Sequence, residues 1–322
     1  MSKILTIVVP VYKVEAYIRK CCDSLVLDNA GLMDQLEVIV VNDGTPDRSA
    51  EMSREYVERF PNTFRQIDKS NGGHGSAWNV GLKEAQGKYI RFLDSDDWFI
   101  NLDRLMDDLK ECDADIVFNP FNMVYSYENR VVRIDTPIRP GTTDLPEYWG
   151  GDNVNFWGST YKTSILQPLY PLFAEKVMYD DYILTWVPLI YGRTFRAFDY
   201  VVYNYLLGRP GQTNDAKRDR KAVSSYLKCL EQSELIRSKF VNADIPPLHL
   251  EKIEYAITGN ASYIFAYMLN LPYKEAKSKM EFLWDKYLAT YDRKTPLQKR
   301  YEALPFPLFS FIELIRRKVL KR

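Results

Sequence analysis

The chain has 322 residues, 46% of them hydrophobic and 27% charged, with 43 basic side chains against 43 acidic ones. At roughly 150 residues per domain this length suggests about two domains, or one large domain with an appendage, and the ordinary balance argues against disorder, a collagen-like repeat or a global nucleic-acid binder. The neutrality hides an asymmetry, because residues 298–322 hold seven basic side chains against Glu302 and Glu313, so that stretch is +5 and the rest −5.

In chain order, the first apolar run is 4–9, with no cleavage-site pattern before or after it; no apolar segment of membrane-spanning length follows anywhere, so neither a secretion signal nor a span is expected. Helical spacing over 15–26 leads to a second run at 37–41, a helix over 48–60, a weaker strand near 64–67, a helix over 75–85 and a strand over 88–93 that ends at an acidic cluster. A helix over 102–110 and a strand over 115–118 complete a βαβ rhythm, which predicts an α/β fold with a mostly parallel, doubly wound sheet. Between 120 and 215 the text breaks into short runs at 123–127, 130–134 and 196–205, read as a mixed extension of the same sheet. From 216 on it is helical, over 222–240, 248–270, 274–291 and 308–320. The expected division is a catalytic domain over 1–215 and a helical C-terminal subdomain over 216–322.

Cys21, Cys22, Cys112 and Cys229 form no C-x-x-C pair, which points away from a zinc site or disulfide framework and toward a reducing, cytosolic setting. His74 and His249 are the only histidines, so carboxylates are the first place to look for chemistry.

Ligands of an open α/β sheet gather at the carboxyl ends of its strands. Here those ends read Val9-Pro10-Val11-Tyr12, Val41-Asn42-Asp43-Gly44 and Leu93-Asp94-Ser95-Asp96-Asp97-Trp98. Three carboxylates within four residues repel one another unless cations or donor groups offset them, and a hard divalent ion held by one or two carboxylates plus phosphate oxygens suits a nucleotide-diphosphate ligand. The alternative is a solvated, Asp-rich turn before a helix. Tyr12 has the aromatic face to stack on a base, and Asp43 can accept from a base N–H; core filler and an Asp-Gly turn are the plain alternatives. Asn71-Gly72-Gly73-His74-Gly75-Ser76 precedes a helix, where amides favour an anion, but it matches neither the Walker spacing nor G-x-G-x-x-G. His74 reads as a loop-lining residue there.

Taken together, Ile7-Val8-Val9-Pro10-Val11-Tyr12, Glu37-Val38-Ile39-Val40-Val41-Asn42-Asp43-Gly44, Asn71-Gly72-Gly73, Ala77-Trp78-Asn79-Val80-Gly81-Leu82 and Phe92-Leu93-Asp94-Ser95-Asp96-Asp97-Trp98 resemble, in order and spacing, the family 2 glycosyltransferases. That resemblance implies a GT-A fold, a UDP-sugar donor, Mn²⁺ or Mg²⁺ at a D-x-D motif formed by Asp94 and Asp96, and inversion at the anomeric carbon. It implies donor contacts from Pro10, Val11, Tyr12, Glu15, Asp43, Gly72, Gly73, Asn79, Asp94, Ser95, Asp96 and Arg209, and acceptor-side roles for Trp157 and Asp97, the latter also supporting the acidic pair. Trp78 stands where the family often has Arg, and Ser159-Thr160 where it often has Lys-Leu. The segment 175–182 resembles the family's base segment, with Asp180 where Glu is usual and Asp181 where the base belongs. Without the resemblance, two aspartates capping a helix would be the first reading. The loop from Tyr203 through Arg209-Pro210-Gly211-Gln212-Thr213 resembles one that closes over the diphosphate.

The function so implied is metal-dependent transfer of a hexose (Gal, Glc or GlcNAc) to a sugar hydroxyl of a surface polysaccharide or glycoprotein glycan. A sugar-phosphate nucleotidyltransferase and a decayed UDP- or glycan-binding module are the alternatives. The last stretch, 308–322, pairs apolar positions with five basic residues. It fits a helix lying on an anionic membrane surface, at the cytoplasmic inner face, or equally a packing helix of a homodimer.

Overall fold

A computed structural model describes residues 2–136, 138–140, 154–209, 212, 220–240, 244–291 and 293–319. Its strands are β1 (Leu5–Val11), β2 (Leu36–Asn42), β3 (Phe64–Asp68), β4 (Tyr89–Phe92), β5 (Trp98–Phe99), β6 (Ile116–Phe118), β7 (Phe121–Tyr125), β8 (Arg130–Ile134), β9 (Ser159–Lys162), β10 (Phe195–Ala197) and β11 (Tyr203–Leu207). Between them lie α1 (Ile18–Asp23), α2 (Ala30–Met33), α3 (Ser49–Arg59), α4 (His74–Glu84), α5 (Leu102–Glu111) and α6 (Thr163–Leu166). The last part holds α7 (Arg220–Lys239), α8 (Pro247–Phe265), α9 (Tyr273–Leu283), α10 (Pro296–Ala303) and α11 (Phe306–Val319).

Seven strands form the main sheet in the order β10-β6-β9-β4-β1-β2-β3. β1 is fully buried and β2 nearly so, because helices cover both faces of a parallel sheet; this is why both read as unbroken apolar runs rather than alternating ones. Val8 of β1 pairs with Ile39 of β2 and Phe92 of β4, all running parallel, so the three carboxyl ends with their polar loops emerge on one edge. α4 crosses this sheet closely: a Cβ on Gly81 would lie 2.1 Å from Val8 Cγ1, so only glycine permits that approach.

The expected mixed extension is corrected in part. β6, β9 and β10 do join the main sheet, β9 antiparallel to both its neighbours, but β5, β11, β7 and β8 build a second, four-stranded sheet. The run expected over 196–205 is divided between the two sheets, as β10 and β11. The helix expected over 15–26 is only Ile18–Asp23, while α2, β5, β9 and α10 had not been expected.

The C-terminal helices share the sheet's hydrophobic core, which runs continuously from Leu5 to Phe309. α7 packs along the segment that carries the acidic pair: Met178 N–H donates to Ser225 Oγ at 3.1 Å and the Tyr182 and Ser233 hydroxyls bond at 2.9 Å. The boundary expected at 215/216 lies outside the described residues.

Candidate active site

At the end of β1, Pro10 and Val11 are buried and Tyr12 turns outward, 43% exposed. The loop beyond it is tied to the loop after β2, since Lys13 N–H donates to Thr45 Oγ1 at 2.8 Å and Val14 N–H to Ser49 Oγ at 3.0 Å. Glu15 belongs to the same lacing: its Oε2 accepts from Arg48 N–H at 3.3 Å and its own N–H donates to Asp47 Oδ2 at 3.3 Å.

Asp43 is buried at the end of β2 with both oxygens engaged. Oδ1 accepts from Gly72 N–H at 2.8 Å and Lys69 Nζ at 2.7 Å, and Oδ2 from Gly73 N–H at 2.8 Å. The carboxylate therefore folds the glycine loop against the strand end, and a base N–H would have to share an oxygen already in use. Lys69 is a partner that the sequence reading missed.

His74, at the start of α4, is the hub of the site. Its Nε2 lies 3.0 Å from Asp94 Oδ1, and its Nδ1 lies 3.0 Å from Asp180 Oδ2. Burial opposes a charged ring, but the Asp180 carboxylate and then Asp94 outweigh it and hold the imidazole well above its usual pKa. An imidazolium thus links the strand-end cluster to the acidic pair; the reading of His74 as mere loop lining is corrected. The close passage of the two segments needs Gly75, where a Cβ would meet Ala174 O at 2.3 Å and Asp180 Oδ2 at 2.6 Å.

Within the cluster the three aspartates have different partners. Asp94 bonds His74, and Asp96 pairs with the Arg209 guanidinium, which also lies 5.3 Å from the Tyr17 ring centroid. Burial and then the Asp94 charge push the Asp96 carboxyl upward, against Arg209. Ser95 is buried between them. Asp97 is only 1% exposed: its Oδ2 accepts from Tyr203 O–H at 2.6 Å and its Oδ1 from Leu206 N–H at 2.7 Å. The same Tyr203 hydroxyl accepts from Asp94 N–H at 3.2 Å. Asp97 thus hangs the acidic turn on β11, in line with the supporting role expected of it, and Tyr203 joins it.

Asn79 is likewise a brace. Its Nδ2 donates to Phe173 O at 2.9 Å, and its Oδ1 accepts from Leu172 N–H at 2.8 Å and Phe173 N–H at 2.9 Å, so it holds the 172–180 segment on α4. Trp78 is fully buried beneath His74, ring centroids 4.1 Å apart, and against Phe92, Phe156 and Phe173. Trp157 stacks on Tyr205 at 4.3 Å, and its carbonyl accepts from the buried Arg91 guanidinium. It is half-buried against the core rather than displayed as an open platform.

Asp181 follows Asp180 in a 3₁₀ turn, Asp180–Thr185, entered through Tyr179 at a left-handed φ of 65°. Burial and then the Asp180 charge, opposed by His74, raise its carboxyl from 3.8 to about 7. A carboxylate so tuned is half deprotonated at neutral pH, where it can take a proton. Asp94 and Asp96, with side chains 25% and 10% exposed, offer the hard oxygen donors that Mg²⁺ or Mn²⁺ prefers, and each is now offset by a cationic side chain. Among the described residues no group of three His, Cys, Asp or Glu side chains could hold a metal by itself, so a bound ion would need ligand oxygens as well. Of the loop expected to close on the site, Arg209 is in place; Pro210, Gly211 and Thr213 lie outside the described residues.

The profile described as Glycosyl transferase family 2 matches residues 6–161. Among curated relatives, the chain is 41% identical over 119 residues to the uncharacterized glycosyltransferase EpsJ of Bacillus subtilis (strain 168), covering 36% of this chain and 33% of that one. It is 32% identical over 180 residues to the glycosyltransferase GlyA of Streptococcus pneumoniae serotype 4, covering 51% and 25%. The chain thus spans a third or less of each. In fold it is similar to S. aureus TarS 1–349 in complex with UDP-GlcNAc, with a TM-score of 0.62, 18% identity and coverage of 89% of this chain and 91% of that one. The fold is accordingly GT-A-like, with helices added at the C-terminal end. Residues 6–161, just under half of the chain, are thus similar to glycosyl transferase family 2.

Proposed function

We propose that the protein is an inverting glycosyltransferase that moves a hexose, Gal, Glc or GlcNAc, from its UDP form to a sugar hydroxyl of a surface polysaccharide or glycoprotein glycan. The observation that carries this reading is the bridge through His74, which bonds Asp180 of the acidic pair Asp180–Asp181 on one side and Asp94 of the strand-end cluster on the other. The TarS structures, which hold UDP-GlcNAc and UDP, support the choice of a UDP-sugar donor. The teichoic acid biosynthesis protein GgaB of B. subtilis, 40% identical over 92 residues, supports a surface-polymer acceptor.

In the proposed reaction the acceptor oxygen bonds the anomeric carbon as that carbon's bond to the diphosphate breaks. The electron pair leaves with UDP, and the acceptor proton passes to Asp181. Asp180, fixed by His74, raises the proton affinity of Asp181. Asp94 and Asp96 would hold the divalent ion, which when bound neutralises charge on the leaving diphosphate. Arg209 and His74 add cationic charge beside them.

UDP release from a panel of UDP-sugars, with Mn²⁺ or with EDTA, tests the reading without a known acceptor. Release from one sugar that needs the metal, and is lost in Asp96→Asn and Asp181→Asn, is the expected outcome. UDP binding without release in any sugar would favour the decayed binding module, and absence of UDP binding would sink the donor assignment.

A further inference from the structure

Helix α11 carries apolar side chains on two opposite faces. One face is inside the protein: Phe306, Phe309 and Glu313 are buried, with Phe309 edge-on to Tyr301 at 5.2 Å and Glu313 Oε1 accepting from Arg300 at 2.6 Å. The other holds Leu308, Phe311 and Ile315, which at 100° per residue fall on one stripe with Leu314 beside it. These four side chains are between 45% and 59% exposed. Single exposed apolar residues are ordinary, but four on one stripe of one helix need a partner.

The charge around the stripe states what kind of partner fits. After Ile315 the sequence continues Arg316-Arg317-Lys318-Val319-Leu320-Lys321-Arg322, and the one acid between 303 and 322 is Glu313, already bonded to Arg300 on the buried side. An apolar stripe running into a cluster of cations, with no free acid, complements a surface that is apolar inside and anionic at its rim. No helix among the described residues is long and apolar enough to cross a membrane, so the fit is to a surface and not to a span.

We propose that α11 docks this protein on an anionic phospholipid bilayer. Leu308, Phe311, Leu314 and Ile315 enter the boundary between headgroups and acyl chains while the basic residues that follow contact lipid phosphates. The buried face of the helix stays on the protein, so attachment needs no unfolding. This inference stands apart from the transferase reading; if both hold, an acceptor carried on a lipid is met on the surface where the enzyme already sits.

The test is co-sedimentation of the full chain with phosphatidylcholine vesicles, with and without phosphatidylglycerol. Binding is expected only with the anionic lipid and is expected to fall as salt is added. Phe311→Ser with Ile315→Ser, both at exposed positions, should lower partitioning by roughly tenfold per side chain, and Arg316→Gln with Lys318→Gln by about fivefold per charge. Circular dichroism and UDP-sugar hydrolysis, whose machinery lies elsewhere, check that the variants fold. Absence of binding to anionic vesicles at low salt, or binding unchanged in both variants, overturns the proposal. So does a stable dimer in light scattering that Phe311→Ser dissolves, because the stripe would then belong to a second copy of the chain.

Discussion

The raised carboxyl of Asp181 makes the assignment of the base testable through two independent consequences of one number. Its shift from 3.8 to about 7, driven first by burial and then by the Asp180 charge, corresponds to roughly 4 kcal/mol in favour of the neutral form, an upper figure because the residue is only partly shielded from solvent. A carboxyl whose pKa is higher folded than unfolded holds more protons in the native state. The native state therefore loses stability as pH rises from about 4, and the full cost is present above about 7. Asp181→Asn removes that cost, so the variant should match wild type in thermal midpoint near pH 4 and exceed it by several degrees at pH 8. Activity must move the other way. A base with this pKa makes wild-type UDP-sugar turnover fall about tenfold per pH unit below neutrality and level off above it, and the asparagine variant should lose on the order of 10²- to 10⁴-fold at its plateau. The assays are calorimetry across pH on both proteins and UDP release with saturating donor. A stability difference that does not change with pH would refute the burial argument, and a pH–rate profile flat from 5.5 to 8 would refute the base.

Three further substitutions probe how the site is held. Trp78→Arg restores the residue common in the family, but it places a cation among Phe92, Phe156 and Phe173 and beneath the His74 ring; a loss of about 3–5 kcal/mol in urea unfolding is expected, and a neutral outcome would mean that the pocket opens to solvent. Gly75→Ala sets a methyl 2.3 Å from Ala174 O and 2.6 Å from Asp180 Oδ2, so kcat should fall on the order of 10²-fold while UDP affinity by calorimetry is retained. Tyr203→Phe removes the hydroxyl shared by Asp97 and the Asp94 amide, which should cost about 1–3 kcal/mol in thermal unfolding; an unchanged midpoint would show that the acidic turn is held by other contacts.

The contrast between what the residues announce and what they conceal has a physical pattern. β1 and β2 were legible because a strand buried on both faces must be apolar at every position, and that demand is written locally. β9 was not, since Ser159-Thr160-Tyr161-Lys162 owes its strand geometry to a slot between β4 and β6, where the guanidinium of Arg91 meets Thr160 Oγ1 at 3.1 Å. The short runs at 123–127 and 130–134 announced strands, but nothing in a run says which sheet it will join. The same division holds in the site. Asp94, Asp96 and Asp97 look alike in the sequence, yet one faces His74, one Arg209 and one Tyr203, and the last two partners come from more than a hundred residues away. Asp43 and Asn79 stood out in the sequence, but the segments they hold did not: each side chain bonds a loop that comes to it in space, Gly72-Gly73 in one case and Leu172-Phe173 in the other. His74 is the extreme case, since its role exists only because α4 delivers it between Asp94 and a residue 106 positions later. Chemistry that depends on a residue's own type was readable. Chemistry that depends on a distant partner follows from packing, and here packing makes His74 the link between Asp94 and Asp180.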